Sequence, residues 1–128
     1  MDKTQQTEAP QIVARGLRKA LELHSTGEYR ALYTLYDETA LEVSSLGGIS
    51  NRQVNIALTF MDSWGDSGGH DWLYYKGIEK NDWPKLAQEI IEALETGGEI
   101  TNTLILEHFD LSDRPSLLRR IKGIFKHE

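Results

Sequence analysis

The chain contains no cysteine, and this absence removes several kinds of chemistry at once. Disulfide bonds, a thiolate nucleophile and cysteine-ligated metal sites are all excluded, so the fold must be stabilised by packing. Proline is also scarce, and the three prolines, Pro10, Pro84 and Pro115, each fall close to the predicted start of a helix. The first turn of a helix tolerates proline, so these positions are compatible with helical structure.

Long hydrophobic runs are missing as well. No apolar stretch approaches the ~20 residues that a membrane-spanning helix needs, so we expect no membrane association. The segment MDKTQQTEAP has no apolar stretch behind its first lysine and does not resemble a signal peptide. We therefore expect a soluble, cytoplasmic protein with one helical domain over residues 1–128, in which the polar residues 1–7 are disordered.

Basic residues are few outside the C-terminus. Residues 1–113 hold 9 Lys and Arg against 19 Asp and Glu, whereas residues 114–128 hold 5 against 1. An acidic body repels phosphate groups, so nucleic acid is not an expected partner. The basic end is typical of a helix C-terminus, where cations complement the helix dipole.

Apolar residues recur every three or four positions along most of the chain, which indicates amphipathic helices. Capping-box spacing predicts that helices start at Ser25 and at Ser50, and glycine pairs at 47–48 and 97–98 predict helix ends. Five helices are predicted on this basis, and they cover residues 9–24, 25–46, 50–64, 82–96 and 112–125.

Two segments lack a clear helical period. Residues 99–109 contain threonine and isoleucine, which favour a strand, although their apolar spacing also fits a helix. Residues 71–76 fit a short strand or a helical turn. The predicted fold class is mainly α, a compact bundle of about five helices, and a small two-stranded β element formed by 71–76 and 100–106 is left open.

Residues 65–69 read GDSGG, which resembles the segment around the nucleophile of trypsin-like serine proteases. The resemblance implies that Ser67 is a nucleophile, but it covers five residues and nothing else. That family has two β-barrels and takes its histidine and aspartate from segments before the serine, whereas the one upstream histidine here, His24, lies at a predicted helix end. Because a serine also needs an oriented base within about 3 Å, we predict a tight glycine turn after the third helix and no catalytic residue.

The stretch 64–83 concentrates aromatic and titratable side chains, including all three tryptophans. Aromatic side chains are enriched at binding surfaces, and titratable groups beside apolar walls acquire shifted pKa values. The predicted ligand or partner surface consists of Trp64, Asp66, His70, Asp71, Trp72, Tyr74, Tyr75 and Trp83. The alternative is that several of these rings only cover the core beneath an irregular loop.

Metal ligands are not arranged as in a helical zinc site, since no His-x-x-x-His spacing occurs. Asp66, His70 and Asp71 could bind a metal if His108 and Asp110 came close to them, but no metal and no other cofactor is predicted. The glutamates of the fourth predicted helix recur along one side, where a solvated face is expected. These residues are Glu89, Glu92 and Glu95.

Because no catalytic constellation is present, the sequence favours a binding or regulatory protein over an enzyme. Such a protein, of the adaptor or toxin-neutralising type, would act through an acidic face and the aromatic-rich stretch 64–83. Its partner would be another protein or a second copy of this chain, because large apolar residues such as Leu41 and Leu106 lie outside the main helical stripes. The alternative is a small-molecule-binding protein or a modest hydrolase with a pocket around His70 and the tryptophan and tyrosine side chains.

Overall fold

The architecture is a bundle of helices. The structure, a computed structural model, describes residues 3–46, 51–69, 71, 72, 75 and 77–111. The helices within these residues are α1 (Lys3–Ser25), α2 (Ala31–Ser44), α3 (Arg52–Gly68), α4 (Asp82–Thr96) and α5 (Thr103–Phe109). The predicted mainly α fold class is confirmed, while the helix predicted over 112–125 lies outside the described residues.

Helix α3 lies at the centre of the bundle and contacts each of the other four helices, while α1 also packs against α2 and α4. The fully buried ring of Phe60 lies 5.1 Å from the ring of Trp83 in α4 and 5.3 Å from the ring of Phe109 in α5, between centroids. Buried aromatic side chains contribute large apolar areas to a core. Buried aromatic rings therefore join α3, α4 and α5.

A glycine just after the end of helix α1 reverses the direction of the chain. Gly27 has a φ of +78°, and across it the N–H of Glu28 donates to the carbonyl of Leu23, as in a Schellman motif. Helix α2 therefore begins at Ala31, and the prediction that it begins at Ser25 is wrong. The Ser25 hydroxyl donates to a carbonyl of α1 and caps no new helix.

Helix α1 also begins earlier than predicted. It includes residues 3–7, which were expected to be disordered, and Pro10 consequently lies inside the helix and not in its first turn. Proline removes one backbone hydrogen bond there. Ala9 and Val13, on either side of Pro10, are both fully buried, and this packing holds the two parts of the helix in place.

Asparagine side chains cap the starts of α3 and α5. Asn51 and Asn102 each accept a hydrogen bond from the backbone N–H three residues later, at 3.1 and 3.2 Å. The predicted cap Ser50 lies outside the described residues. Its expected partner Gln53 instead accepts from the N–H of Ile100 at 2.8 Å, which joins the segment after α4 to α3.

The two-stranded element left open by the sequence is absent from the described residues. Helix α5 occupies residues 103–109, because the Asn102 cap directs the chain into a helix. Asp71 and Trp72 lie in a turn and have positive φ values of 54° and 65°, which are incompatible with a strand. Among the described residues, no pairing joins the segment 71–76 to 100–106.

Candidate functional site

Two members of the predicted surface at residues 64–83 belong to the core. Trp64 and Trp83 are fully buried, and their rings are nearly parallel with centroids 6.2 Å apart. They fill the contact between α3 and α4, where indole rings provide extensive apolar contact. Neither ring is accessible to a partner or a ligand.

Trp72 and Tyr75 lie at the edge of this aromatic core and are partly exposed. The ring of Trp72 lies 5.0 Å from that of Tyr29, and the ring of Tyr75 lies 5.8 Å from that of Trp83. Asp71 is exposed in the preceding turn. Of the three remaining members, Asp66 lies in α3, while His70 and Tyr74 lie outside the described residues.

His24 joins this aromatic cluster, although the sequence suggested only a helix end. Its Nδ1 accepts a hydrogen bond from Nε1 of Trp64 at 3.1 Å, and its ring contacts those of Tyr29 and Trp72. Burial, and then the positive charge of Lys80, lower the pKa of His24 below its ordinary value. The available signal was the position of His24 on the apolar stripe of α1.

Residues 65–68 of the GDSGG segment are helical, so the turn predicted to begin at Gly65 is wrong. Helix α3 continues to Gly68, and the capping residue Gly69 has a right-handed backbone with a φ of −82°. Ser67 is 1% exposed, and its hydroxyl has no hydrogen-bond partner in the part of the chain that the structure describes. A substrate cannot reach this hydroxyl, and no base among those residues activates it.

The glycines of this segment serve close packing against α2 and the loop before it. A Cβ atom on Gly68 would lie 2.9 Å from Cβ of Tyr29, and one on Gly69 would lie 3.2 Å from the hydroxyl oxygen of Tyr33. Only glycine fits at the first of these distances without movement of its neighbour. A recess of about 630 Å³ opens here, and its walls include Tyr29, Arg30 and Tyr33.

A second cluster lies where α2 packs against α3, and no pattern in the sequence marks it as a unit. We call it the tyrosine–aspartate face. It consists of Tyr33, Tyr36, Asp37 and Leu41 of α2 with Asp62 and Asp66 of α3. The hydroxyl of Tyr33 donates a hydrogen bond to Oδ1 of Asp66 at 3.1 Å, which joins the two helices.

Negative charge dominates this face. Partial burial, together with the charges of Asp66 and Asp37, raises the pKa of Asp62 above its ordinary value. Partial burial also raises the pKa of Tyr36, and the same effect is reinforced by Asp62 and Asp37. Among the described residues, neither Asp37 nor Asp62 forms an ion pair. The negative potential is therefore not neutralised by a direct ion pair at these two side chains.

Apolar surface adjoins the carboxylates. Tyr33 is 37% exposed and Leu41 is 73% exposed, although leucine is a residue type that is usually buried. Leu41 follows Tyr33 and Asp37 at intervals of four residues, so the three side chains lie along one side of α2. The sequence signal for this surface was the position of Leu41 outside the main helical stripe.

The glutamates of α4 form an exposed face, as predicted. Part of this face is engaged within the fold. Oε1 of Glu95 accepts a hydrogen bond from Arg18 at 2.7 Å, and this contact lowers the pKa of Glu95. Glu89 accepts a hydrogen bond from the side chain of Asn102 at 3.1 Å. Two of the α4 glutamates are therefore engaged within the fold.

Comparisons with known proteins and the remaining geometry identify no further site. In the described segments, no group of three or more His, Asp and Glu side chains is arranged to hold a metal ion, so Asp66, Asp71, His108 and Asp110 do not form one. None of the described helices is both long and apolar enough to cross a membrane. No protein-family model, curated protein or solved structure matches the chain.

Proposed function

We propose that this protein is a non-catalytic binding protein and that its tyrosine–aspartate face docks a basic, partly apolar segment of a protein partner. The observation that carries the proposal is the juxtaposition of Asp37, Asp62 and Asp66 with the exposed side chains of Tyr33 and Leu41. The proposal keeps the acidic face and the protein partner favoured by the sequence, but it places the face on α2 and α3.

The carboxylates favour a cationic partner for a simple electrostatic reason. Partial burial, and then the nearby charges of Asp66 and Asp37, raise the free energy of the ionised form of Asp62 and with it the pKa of this carboxyl. A lysine or arginine from a partner relieves this repulsion. Complementary potentials also increase the association rate and select against acidic partners.

The tyrosine and leucine side chains supply the apolar part of the interface. Tyrosine offers a large ring and a hydroxyl, and it is enriched among residues that contribute most to binding energy. Leu41 adds apolar surface one helical turn beyond Asp37. A helix that carries leucine on one side and arginine along its flanks matches both features.

A direct test measures the binding of a fluorescein-labelled synthetic peptide of leucine and arginine in an amphipathic helical repeat. The peptide has about 18 residues, which is long enough to form a helix. The probe is referred to as the Leu–Arg peptide. Replacing Asp37, Asp62 and Asp66 by asparagine in the full chain should weaken its affinity about tenfold, since exposed charge pairs contribute about 0.2–1 kcal/mol each. Fluorescence anisotropy gives the affinity, which should also fall as salt is added.

The matched control removes three negative charges from α4 and the segment that follows it, through the substitutions E89Q, E92Q and E99Q. This variant should keep most of the affinity, because it leaves the tyrosine–aspartate face intact. An equal loss in both variants would show attraction by net charge alone and would contradict the proposal. Equal binding by a peptide with glutamate in place of arginine would contradict it as well.

A small-molecule binding protein is the second candidate, and the recess beside Tyr29, Tyr33 and Gly68 favours it. Its volume of about 630 Å³ lies within the usual range of ligand pockets. Thermal denaturation with nucleosides, amino acids and divalent cations tests this alternative. A ligand at about 100 times its Kd stabilises the fold by about 2.7 kcal/mol, so a set without any shift in Tm would count against it.

A further inference from the structure

A second recess, of about 420 Å³, opens where the described chain ends at Leu111. Its walls include Tyr36 of α2, Leu58 and Thr59 of α3, and Phe109. Leu111 itself is 36% exposed at this recess. Tyr36 belongs both to the recess and to the tyrosine–aspartate face, so the two surfaces are continuous.

The positive charge nearest this recess is already engaged. Arg52 lines the recess, and its Nε donates a hydrogen bond to Oδ2 of the buried Asp110 at 3.0 Å. Asp37 and Asp62 lie beyond Tyr36 on the same side of the molecule and act on its hydroxyl electrostatically. A segment that lies in the recess beside Leu111 therefore contacts apolar side chains there, and its continuation past Tyr36 lies near the carboxylates of Asp37 and Asp62.

The residues that follow Leu111 have the matching composition. Residues 112–128 contain five basic and two acidic residues. At helical spacing their large apolar residues fall on one side, and Arg120 and Lys122 flank that side. The apolar residues are Leu117, Leu118, Ile121, Ile124 and Phe125.

The C-terminal segment is also long enough to span the recess and the tyrosine–aspartate face. A helix over residues 115–125 would extend about 16 Å, and the stretch of α3 from Leu58 to Asp66 extends about 12 Å, at about 1.5 Å per residue. A helix that begins near Leu111 can therefore cover both the recess and the carboxylates of the face.

We propose that residues 112–128 dock on their own chain, with the apolar side in the recess and with Arg120 and Lys122 beside Asp37 and Asp62. The docked segment occupies the tyrosine–aspartate face and competes with an outside partner for it. Docking within the chain does not require that a partner exists, so it goes beyond the proposed function.

Paramagnetic broadening in the full chain tests this inference, and the absence of native cysteine allows a single nitroxide label. The label is attached through Ser116→Cys, on the side of the predicted helix away from its apolar residues. Backbone amide signals of Tyr36, Leu58 and Asp62 should lose intensity. The same label attached through Gln88→Cys, on an exposed position of α4, should leave these signals intact.

Charge-matched variants identify the side of the segment that docks. R120E/K122E should abolish the broadening and increase the affinity for the Leu–Arg peptide, whereas R119E/K126E, on the opposite side, should preserve both. Loss of broadening in both variants would contradict the assigned geometry. Added salt should also reduce the broadening in the labelled chain that carries no charge substitution. This measurement tests the same charge contacts even if a charge variant misfolds.

Two further results would overturn the inference. One is broadening confined to residues next to Leu111 in sequence. The other is broadening of an isotope-labelled, nitroxide-free chain by a nitroxide-labelled second chain, which would show docking between copies. Failure of the Leu–Arg peptide to bind would contradict the proposed function and leave the broadening unaffected, so the two failures are distinguishable.

Discussion

At the scale of single residues, the hydrogen bond between Trp64 and His24 fixes the protonation state of the histidine. The indole N–H is a donor only, so Nδ1 of His24 must carry a lone pair at this contact. Burial and the charge of Lys80 favour the same neutral form. Protonation of Nδ1 would place two donors opposite each other beside the aromatic core.

The pH dependence of stability follows from this contact. Because the pKa of His24 is lowered in the folded state, its contribution to stability is complete above the unfolded pKa of about 6.5 and is lost as pH falls below it. Between pH 7 and pH 5, Tm of the native chain should fall further than Tm of His24→Gln, whose amide oxygen can still accept from Trp64. Equal falls in thermal denaturation would contradict the assignment.

The contribution of Asp62 to stability depends on pH in the opposite direction from that of His24. Its raised pKa means that its contribution to stability is present below the unfolded pKa of about 3.9 and is lost as pH rises through the folded pKa. Asp62→Asn should therefore raise Tm at pH 7 by about 1–3 °C, a small effect because solvent screens a partly exposed group.

The matched control for that measurement is Glu38→Gln, which removes an exposed carboxylate of α2 outside the tyrosine–aspartate face and should leave Tm nearly unchanged. A fall in Tm for Asp62→Asn would show that the carboxylate is compensated. Since the same substitution should weaken peptide binding, a gain in stability with a loss of binding is the signature expected of a functional carboxylate.

At the scale of helices, the absence of a side chain at certain glycines allows neighbouring helices to pack closely. A Cβ atom on Gly16 of α1 would lie 2.8 Å from Oγ1 of buried Thr39 and 3.0 Å from Cε of Met61. On Gly65 of α3 it would lie no closer than 3.5 Å to atoms of Tyr33. The two helical glycines therefore offer a matched pair of substitutions.

Gly16→Ala should lower the free energy of unfolding, because overpacking that costs about 1–3 kcal/mol exceeds the gain in helix propensity of about 1 kcal/mol. Gly65→Ala meets only ordinary contacts, so it should be neutral or should stabilise the fold by up to about 1 kcal/mol. Urea denaturation gives both values. Effects of the same sign and size would contradict the packing described between α1, α2 and α3.

The helices also show what the sequence could predict and where local patterns failed. Apolar spacing correctly predicted most of α1, α3 and α4, because the buried side of each is set by residues within it. The end of α3 was missed because the glycines of GDSGG favour a turn locally, whereas contact with Tyr29 and Tyr33 keeps the segment helical. The predicted start of α2 failed for a local reason, because the positive φ of Gly27 reverses the chain after α1.

At the scale of the whole molecule, the acidic composition was evident from the sequence but the position of the tyrosine–aspartate face was not. Glu95 accepts a hydrogen bond from Arg18, a residue 77 positions away, whereas Asp62 lies near the carboxylates of Asp37 and Asp66. Such neighbours depend on how the helices pack. The aromatic concentration at 64–83 was also evident, but burial in the core could be learned only from the structure.

The most direct test of the account is an amide chemical-shift map of the isotope-labelled full chain, titrated with the Leu–Arg peptide. The account predicts that the largest shifts occur at Tyr33, Asp37, Leu41 and Asp62 and that they diminish with salt. Shifts centred on the α4 glutamates, or the absence of saturable shifts, would contradict the claim that the tyrosine–aspartate face is the binding surface.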